Sequence, residues 1–227
     1  MSNQEKNSKV FNEWANTERS EKMARGHIHL VDALIKNLKL KQDSTVLDLG
    51  CGTGDALMRI QKHFQLSKEK IYGIDQASEM VKKARRNCGG QIFVGDANKL
   101  SFENEFFDGL YTIESIYYHE DPQKSFSEAY RVLKQKSSFY CLLDFYAESS
   151  GTKNWPKAIN LELKEYSILE WKNLLEKANF KNIQTSKVIN PQAEELLNNF
   201  KSSEYFPNKI DYENHLKEGT LFIRANK

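Results

Sequence analysis

The chain has 227 residues, of which 33 are Lys or Arg and 31 are Asp or Glu, so its formal net charge is +2. A nearly neutral chain of this length lacks the basic excess typical of nucleic-acid-binding proteins, and no apolar run approaches the ~20 residues of a membrane-spanning helix. We therefore expect a cytoplasmic protein with neither a nucleic-acid partner nor membrane insertion; the oligomeric state is left open.

Cysteine and histidine spacing argues against disulfides and metal sites. Cys51, Cys88 and Cys141 contain no Cys-x-x-Cys pair, and the five histidines contain no His-Glu-x-x-His. These patterns predict neither a disulfide framework nor a bound metal, and they suit a reducing compartment.

The first part of the chain predicts helices followed by a buried strand. Residues 20–38 carry apolar side chains at helical spacing, within a predicted N-terminal helical segment 1–40. Thr45 to Gly50 is a short apolar run that ends in glycine, and a helical stripe follows it. This order predicts a strand and then a helix.

The strand-helix unit then recurs along the chain. Four more strands are predicted at residues 71–75, 91–96, 106–113 and 138–145, with helical patterns after the first and the third of them. Ser78 is the predicted N-cap of one such helix. Alternating strands and helices indicate a parallel, doubly wound sheet with right-handed crossovers.

The last third of the chain predicts one capped helix and two further strands. Ser167 and Glu170 have the spacing of a capping box. Residues 182–189 and 220–225 read as strands, and the long polar segment 191–218 between them predicts a helical insertion. We expect the whole chain, 1–227, to form one domain.

Three glycines after the first strand carry the most information about function. Gly50, Gly52 and Gly54 lie where the chain must turn, and a helix N-terminus directly behind them favours an anionic or polar ligand lying on bare backbone. The dinucleotide fingerprint Gly-x-Gly-x-x-Gly would require glycine at position 55, where this chain has Asp55. A Rossmann-type oxidoreductase that uses NAD is therefore the less favoured alternative.

Two aspartates at successive strand ends indicate a nucleoside. Asp75 ends the second strand, where an acidic side chain can accept hydrogen bonds from both hydroxyls of a ribose. Asp96 ends the third strand and offers an acceptor for an exocyclic amine such as that of adenine. Gln76 and Met80 are predicted to flank the base.

These segments resemble the class I S-adenosylmethionine-dependent methyltransferases. VLDLGCGTG, IYGIDQAS and VGDANKL match the first three motifs of the family, and HEDPQKSFSEAYRVLKQ is similar to the segment after the fourth strand in small-molecule members such as those of quinone biosynthesis. The resemblance implies a Rossmann-like, doubly wound α/β fold: a seven-stranded sheet, mostly parallel with the last strand antiparallel, and helices on both faces.

The resemblance also implies the cofactor, S-adenosyl-L-methionine, and S-adenosyl-L-homocysteine as its product. It places the methionine portion on the backbone at Gly50 and Gly52, its ammonium group at Asp48, the ribose at Asp75 and the adenine at Asp96 and Ala97. Cys51 is expected to contribute backbone rather than a nucleophile, and Ile113 completes the predicted cofactor set.

The segment after the fourth strand is the predicted acceptor side. Glu114, Tyr118 and His119 lie there, and His119 is the best candidate base by its unperturbed pKa. The alternatives are that His119 only orients the next helix, that Tyr118 is pocket wall and that Glu114 only binds backbone. The chain lacks the Asp/Asn-Pro-Pro-aromatic tetrapeptide of the branch that methylates amide-like nitrogens, so a small-molecule acceptor is predicted. A second alternative is a non-catalytic cofactor-binding module that acts through residues 191–218.

Overall fold

A seven-stranded sheet lies at the centre of the computed structural model, which describes residues 2–227. The strands are β1 (Val46–Leu49), β2 (Ile71–Asp75), β3 (Gln91–Val94), β4 (Phe107–Ile113), β5 (Leu133–Leu143), β6 (Lys181–Val188) and β7 (Thr220–Asn226). Their order across the sheet is β3-β2-β1-β4-β5-β7-β6, and β7 is antiparallel to both of its neighbours while the other pairs are parallel. The predicted fold class is confirmed.

Helices precede, connect and follow these strands. They are α1 (Asn3–Ala15), α2 (Glu18–Gly26), α3 (Ile28–Asn37), α4 (Asp55–Phe64), α5 (Ser78–Cys88), α6 (Pro122–Val132), α7 (Trp155–Ile159), α8 (Ile168–Lys177), α9 (Ala193–Asn198) and α10 (Lys209–Glu218). The capping box of Ser167 and Glu170 is present at the start of α8. Segment 191–218 contains α9 and α10.

Alternating side chains of the strands feed two apolar layers, one on each face of the sheet. In β1, Val46 belongs to the layer that contains α3, α4 and α5, whereas Leu47 belongs to the layer that contains α6 and α8. In β4, Tyr111 belongs to the same layer as Val46, and Leu110 belongs to the same layer as Leu47. Because successive strand residues point to opposite faces, a sheet covered on both faces needs near-continuous apolar strands.

Two local expectations are corrected by the structure. The single helix expected over residues 20–38 is two helices, α2 and α3, because the chain breaks at His27. Ser78 is the first residue of α5 and not its cap, since Ala77 occupies the N-cap position without a side-chain hydrogen bond. Strand β5 begins earlier than the predicted strand at 138–145; Lys136 within it adopts a left-handed conformation, and the pairing with β4 shifts register.

The strand order positions the site. The chain leaves β1 toward β2 on one side of the sheet, and β4 continues on the other side. In doubly wound sheets a crevice opens at such a reversal, beyond the carboxyl ends of the strands. The segments that follow β1, β2, β3 and β4 carry all the site residues predicted from the sequence except Asp48, which lies within β1, and Asp75 and Ile113, which end β2 and β4.

Candidate active site

The glycine loop after β1 adopts the conformation that its sequence requires. Gly50, Gly52 and Gly54 all have left-handed φ values, of 78°, 50° and 81°. A Cβ on Gly50 would lie 1.8 Å from the Ser115 hydroxyl oxygen, so only glycine fits there. The amides of Gly50 and Cys51 both donate to the Ile74 carbonyl, at 2.8 and 3.0 Å, and these bonds fasten the loop to β2.

Asp75 joins the end of β2 to the glycine loop. Its Oδ2 accepts the Gly52 amide at 2.9 Å and its Oδ1 accepts the Ala77 amide at 2.8 Å. Each carboxylate oxygen retains acceptor capacity after one such bond, so two hydroxyl groups could still bind. Burial raises the pKa of Asp75 above its ordinary value, and the two backbone amides oppose that shift.

Asp48 is a buried carboxyl group in the interior strand β1. Only 2% of its surface is exposed. Burial raises its pKa from 3.8 to about 8, and the neighbouring charge of Asp75 adds to that shift. At pH 7 Asp48 therefore holds a proton, and a cationic group placed beside it would favour the ionised form.

The far end of the crevice is formed by the residues that follow β2 and β3. The Asp96 Oδ1 accepts the Asn98 amide at 2.8 Å, which fixes the turn after β3. Ala97 and Met80 are buried, and the carbonyl of Gln76 accepts the Ser8 hydroxyl of α1 at 3.1 Å. A mixed surface of one carboxylate and apolar side chains suits a flat heteroaromatic base.

All of the predicted site residues line one cavity, which encloses about 1200 Å³ between atoms, part of it open to solvent. They are Asp48, Gly50, Cys51, Gly52, Asp75, Gln76, Met80, Asp96, Ala97, Ile113, Glu114, Tyr118 and His119. Ser115 and Arg59 line the same cavity and were not predicted.

Glu114 lies in the cavity wall with both carboxyl oxygens engaged. Oε2 accepts the Tyr117 hydroxyl at 2.6 Å, and Oε1 accepts the Asp144 amide at 2.5 Å. The backbone of Glu114 is left-handed, with φ 51°. Burial, with the charge of Asp144, raises its pKa well above the ordinary value. These contacts match the alternative in which Glu114 binds backbone.

His119 is held between two serines. Its Nδ1 lies 2.8 Å from the Ser125 hydroxyl oxygen, and its Nε2 lies 3.1 Å from that of Ser115. Ser125 donates its proton to Asn98 Oδ1 at 2.7 Å, so Nδ1 must donate to Ser125 and Nε2 must accept from Ser115. Burial lowers the pKa of His119 to about 4, which makes it a weaker base than its unperturbed pKa suggests.

The N-terminal helices form one side of the cavity, and none of their residues is among the predicted site residues. Gln4 and Phe11 of α1 line it, as do Ser20, Met23 and Ala24 of α2 and His27 at the junction with α3. Asn7 donates to the Tyr118 carbonyl at 2.8 Å, and Phe11 packs edge-on against the Tyr118 ring. One signal was readable: Ser2 and Glu5 form a capping box that starts α1.

Two further observations concern residues 2–227. Within that range no three His, Cys, Asp or Glu side chains are grouped so as to hold a metal ion. No helix there is both long enough and apolar enough to cross a membrane.

Comparison with known families adds a likeness to the geometry of the site. A family model described as a methyltransferase domain matches residues 47–141, the stretch from β1 into β5. The resemblance predicted from the motifs is thereby confirmed.

Two curated relatives of the domain are methyltransferases of rice, Oryza sativa subsp. japonica. The chain is 32% identical over 151 residues to the chloroplastic 2-methyl-6-phytyl-1,4-hydroquinone methyltransferase 1, an alignment that covers 63% of this chain and 43% of the relative. It is 31% identical to cycloartenol-C-24-methyltransferase 1, over 52% of this chain and 37% of that one. The chain thus spans less than half the length of these relatives.

Solved structures share the fold of the methyltransferase domain. A chain of the complex that contains the Haloferax volcanii Trm112 methyltransferase activator superposes with a TM-score of 0.82 at 24% identity, covering 95% of this chain and 96% of that one. Geranyl diphosphate C-methyltransferase from Streptomyces coelicolor has a TM-score of 0.69 at 17% identity, over 93% of this chain and 84% of that one. At such identities the likeness concerns the fold alone.

Proposed function

We propose that this chain catalyses methyl transfer from S-adenosyl-L-methionine to a small-molecule acceptor. One observation carries the proposal: the glycine loop, Asp75 and Asp96 follow three adjacent parallel strands and line a single cavity. A ligand with an amino-acid tail, a ribose and a purine matches these features in the order in which they occur along the crevice.

The chain's own residues suit that ligand. The backbone of Gly50, Cys51 and Gly52 lies where an amino-acid tail would rest, with Asp48 beside it for the ammonium group. Asp75 retains free acceptor sites for the ribose hydroxyls after binding Gly52 and Ala77. Asp96 and Ala97 bind the adenine, between the side chains of Gln76, Met80 and Ile113. When bound, S-adenosylmethionine supplies an activated methyl group and leaves as S-adenosylhomocysteine.

The acceptor side is formed by Glu114, Tyr118 and His119 together with the N-terminal helices. Methyl transfer from a sulfonium is intrinsically favourable, so the protein's main contributions are alignment and exclusion of water. We assign Glu114 and His119 to positioning, because the oxygens of Glu114 and the ring nitrogens of His119 are already hydrogen-bonded. Tyr118 forms part of the cavity wall, where its ring packs against Phe11. A small acceptor is supported by the names of the relatives, which act on a hydroquinone and a sterol.

Calorimetry tests the cofactor half of the proposal. We expect S-adenosylmethionine and S-adenosylhomocysteine to bind in the micromolar range and NAD to bind far more weakly, because Asp55 occupies the position where a pyrophosphate would need glycine. Tighter binding of NAD would overturn the assignment.

Methyl release tests the catalytic half. Transfer of a labelled methyl group to members of a panel of hydroquinones, sterols, phenols and amines is the expected result. Cofactor binding without transfer to any member would favour the non-catalytic module.

A cytoplasmic location and action without nucleic acid remain predictions from composition.

A further inference from the structure

The cavity is rich in carboxyl groups and poor in cations. Its lining contains Asp48, Asp55, Asp75, Asp96, Glu114 and Glu120. Among residues 2–227, Arg59 is the only arginine or lysine in the lining. The proposed ligand brings positive charge in its sulfonium and ammonium groups, which these acids suit. It also brings one carboxylate, and a carboxylate that enters an acidic, partly dry cavity needs a cation or several amides.

The helical position of Arg59 places it next to the glycine loop. α4 begins directly after Gly54, and Asp55, Ala56 and Arg59 share the face of α4 that lines the cavity. Long helical side chains point back toward the N-terminus of their helix. Arg59 lines both this cavity and the adjoining surface groove. A side chain directed back along the helix carries its guanidinium toward residues 50–54, where the amino-acid tail would lie.

Arg59 also has unused hydrogen-bonding capacity. It is half-buried, and it forms no ion pair or side-chain hydrogen bond with any other residue in the range 2–227. Arg131, by contrast, is bound to Glu128 at 2.7 Å, and Arg19 is paired with Glu204 at 3.3 Å. Asp55, one turn before Arg59, is already engaged by the Thr53 hydroxyl.

We infer that Arg59 binds the α-carboxylate of the amino-acid tail and so makes this cavity selective for ligands that keep that carboxylate. The inference rests on the proposed function and adds one residue to it. A planar guanidinium can grip a carboxylate with two parallel hydrogen bonds, which an ammonium group cannot do. Asp48 would then bind the ammonium group and Arg59 the carboxylate of the same amino-acid tail.

Two ligands that differ only in the carboxylate provide the test. Calorimetry with S-adenosylmethionine and with decarboxylated S-adenosylmethionine measures the preference of the protein for the carboxylate. We expect the wild-type protein to prefer the carboxylated ligand by about 10- to 100-fold, the scale of a charged hydrogen-bonded pair. In Arg59→Gln this preference should disappear or reverse, because the decarboxylated ligand carries one more net positive charge into an acidic cavity.

Two further variants control for charge and geometry. Arg86→Gln removes an exposed cation that lies in the neighbouring surface groove but not in the cavity lining, and it should keep the wild-type preference. Arg59→Lys keeps the charge without the planar fork and should show an intermediate preference. Since Arg59 is half-buried and has no protein partner, both Arg59 variants should melt at the wild-type temperature.

The outcomes distinguish a failure of the inference about Arg59 from a failure of the proposed function. If the wild-type protein binds neither ligand, the proposed function fails. If it binds both and Arg59→Gln retains the full preference for the carboxylate, the function stands and Arg59 is not the carboxylate-binding residue.

Discussion

The two halves of the cavity are built differently. The cofactor half consists of the ends of β1, β2 and β3, and its acidic groups are fastened by backbone amides, as Asp75 is by Gly52 and Ala77. The acceptor half combines the loop after β4 with α1 and α2, which are joined to it by scattered side-chain contacts such as Asn7 to Tyr118. Strand ends of one sheet give a rigid nucleoside site, whereas helices from a distant part of the chain can vary with the acceptor.

The largest expected effect comes from the point where the two halves touch. In Gly50→Ala the new methyl group would lie 1.8 Å from Ser115 Oγ, on a backbone with φ 78°. We expect a loss of about 4 kcal/mol in the free energy of unfolding, from overpacking and left-handed strain together. Gly52→Ala is the matched control: nothing lies within 4 Å of its Cβ, so only the strain, about 1 kcal/mol, should appear. Equal losses in urea unfolding would show that Ser115 does not confine the loop.

The pH dependence of the free energy of unfolding should show that an ionised Asp48 destabilises the folded protein. The folded-state pKa of about 8 lies above the ordinary 3.8, so as pH rises the unfolded chain loses this proton first and the folded state is penalised between those values. Asp48→Asn should therefore raise the free energy of unfolding at pH 8 and leave it nearly unchanged near pH 4. The same variant should bind S-adenosylmethionine more weakly. A stability difference that does not vary with pH would contradict the raised pKa.

Asp75 tests the sugar site. Asp75→Ala should weaken binding of S-adenosylhomocysteine by about 1–3 kcal/mol, the scale of lost charged hydrogen bonds. Asp43→Ala, which removes an exposed carboxylate outside the cavity, should leave the affinity unchanged. Calorimetry measures both affinities. Equal affinities for the wild-type protein and Asp75→Ala would contradict the assignment of Asp75 to the ligand site.

The smallest effect is expected where the acceptor half meets segment 191–218. Arg19 of α2 stacks on Trp14 at 3.6 Å and pairs with Glu204 at 3.3 Å, and Glu204 is 57% exposed. An exposed ion pair contributes little, so Glu204→Gln should cost less than about 1 kcal/mol in thermal unfolding. A larger loss would mean that this segment holds the N-terminal helices far more firmly than its contacts suggest.

The cofactor half could be predicted from sequence because its determinants are local. Gly50, Gly52 and Gly54 indicate a tight turn, Asp75 ends β2, and Asp96 lies two residues beyond the end of β3. A parallel sheet then brings such strand ends together without further information. Arg59 escaped notice because its position matters only once the face of α4 that meets the cavity is known.

The acceptor half could not be predicted in the same way. The apolar spacing of residues 20–38 suits one continuous helix, and Gly26 is the local signal for the break at His27. That signal does not show that Met23 and Ala24 line the cavity. The role expected of His119 relied on an unperturbed pKa, but its burial between Ser115 and Ser125 depends on the fold. Such effects arise from tertiary contacts, which periodicity does not encode.

A crystal structure with S-adenosylhomocysteine bound is the most direct test of the central claim, that the ends of β1, β2 and β3 form a nucleoside site. We expect both ribose hydroxyls within about 2.5–3.0 Å of the Asp75 carboxylate and the adenine amine beside Asp96. A ligand bound elsewhere, or one whose ribose faces away from Asp75, would contradict the claim.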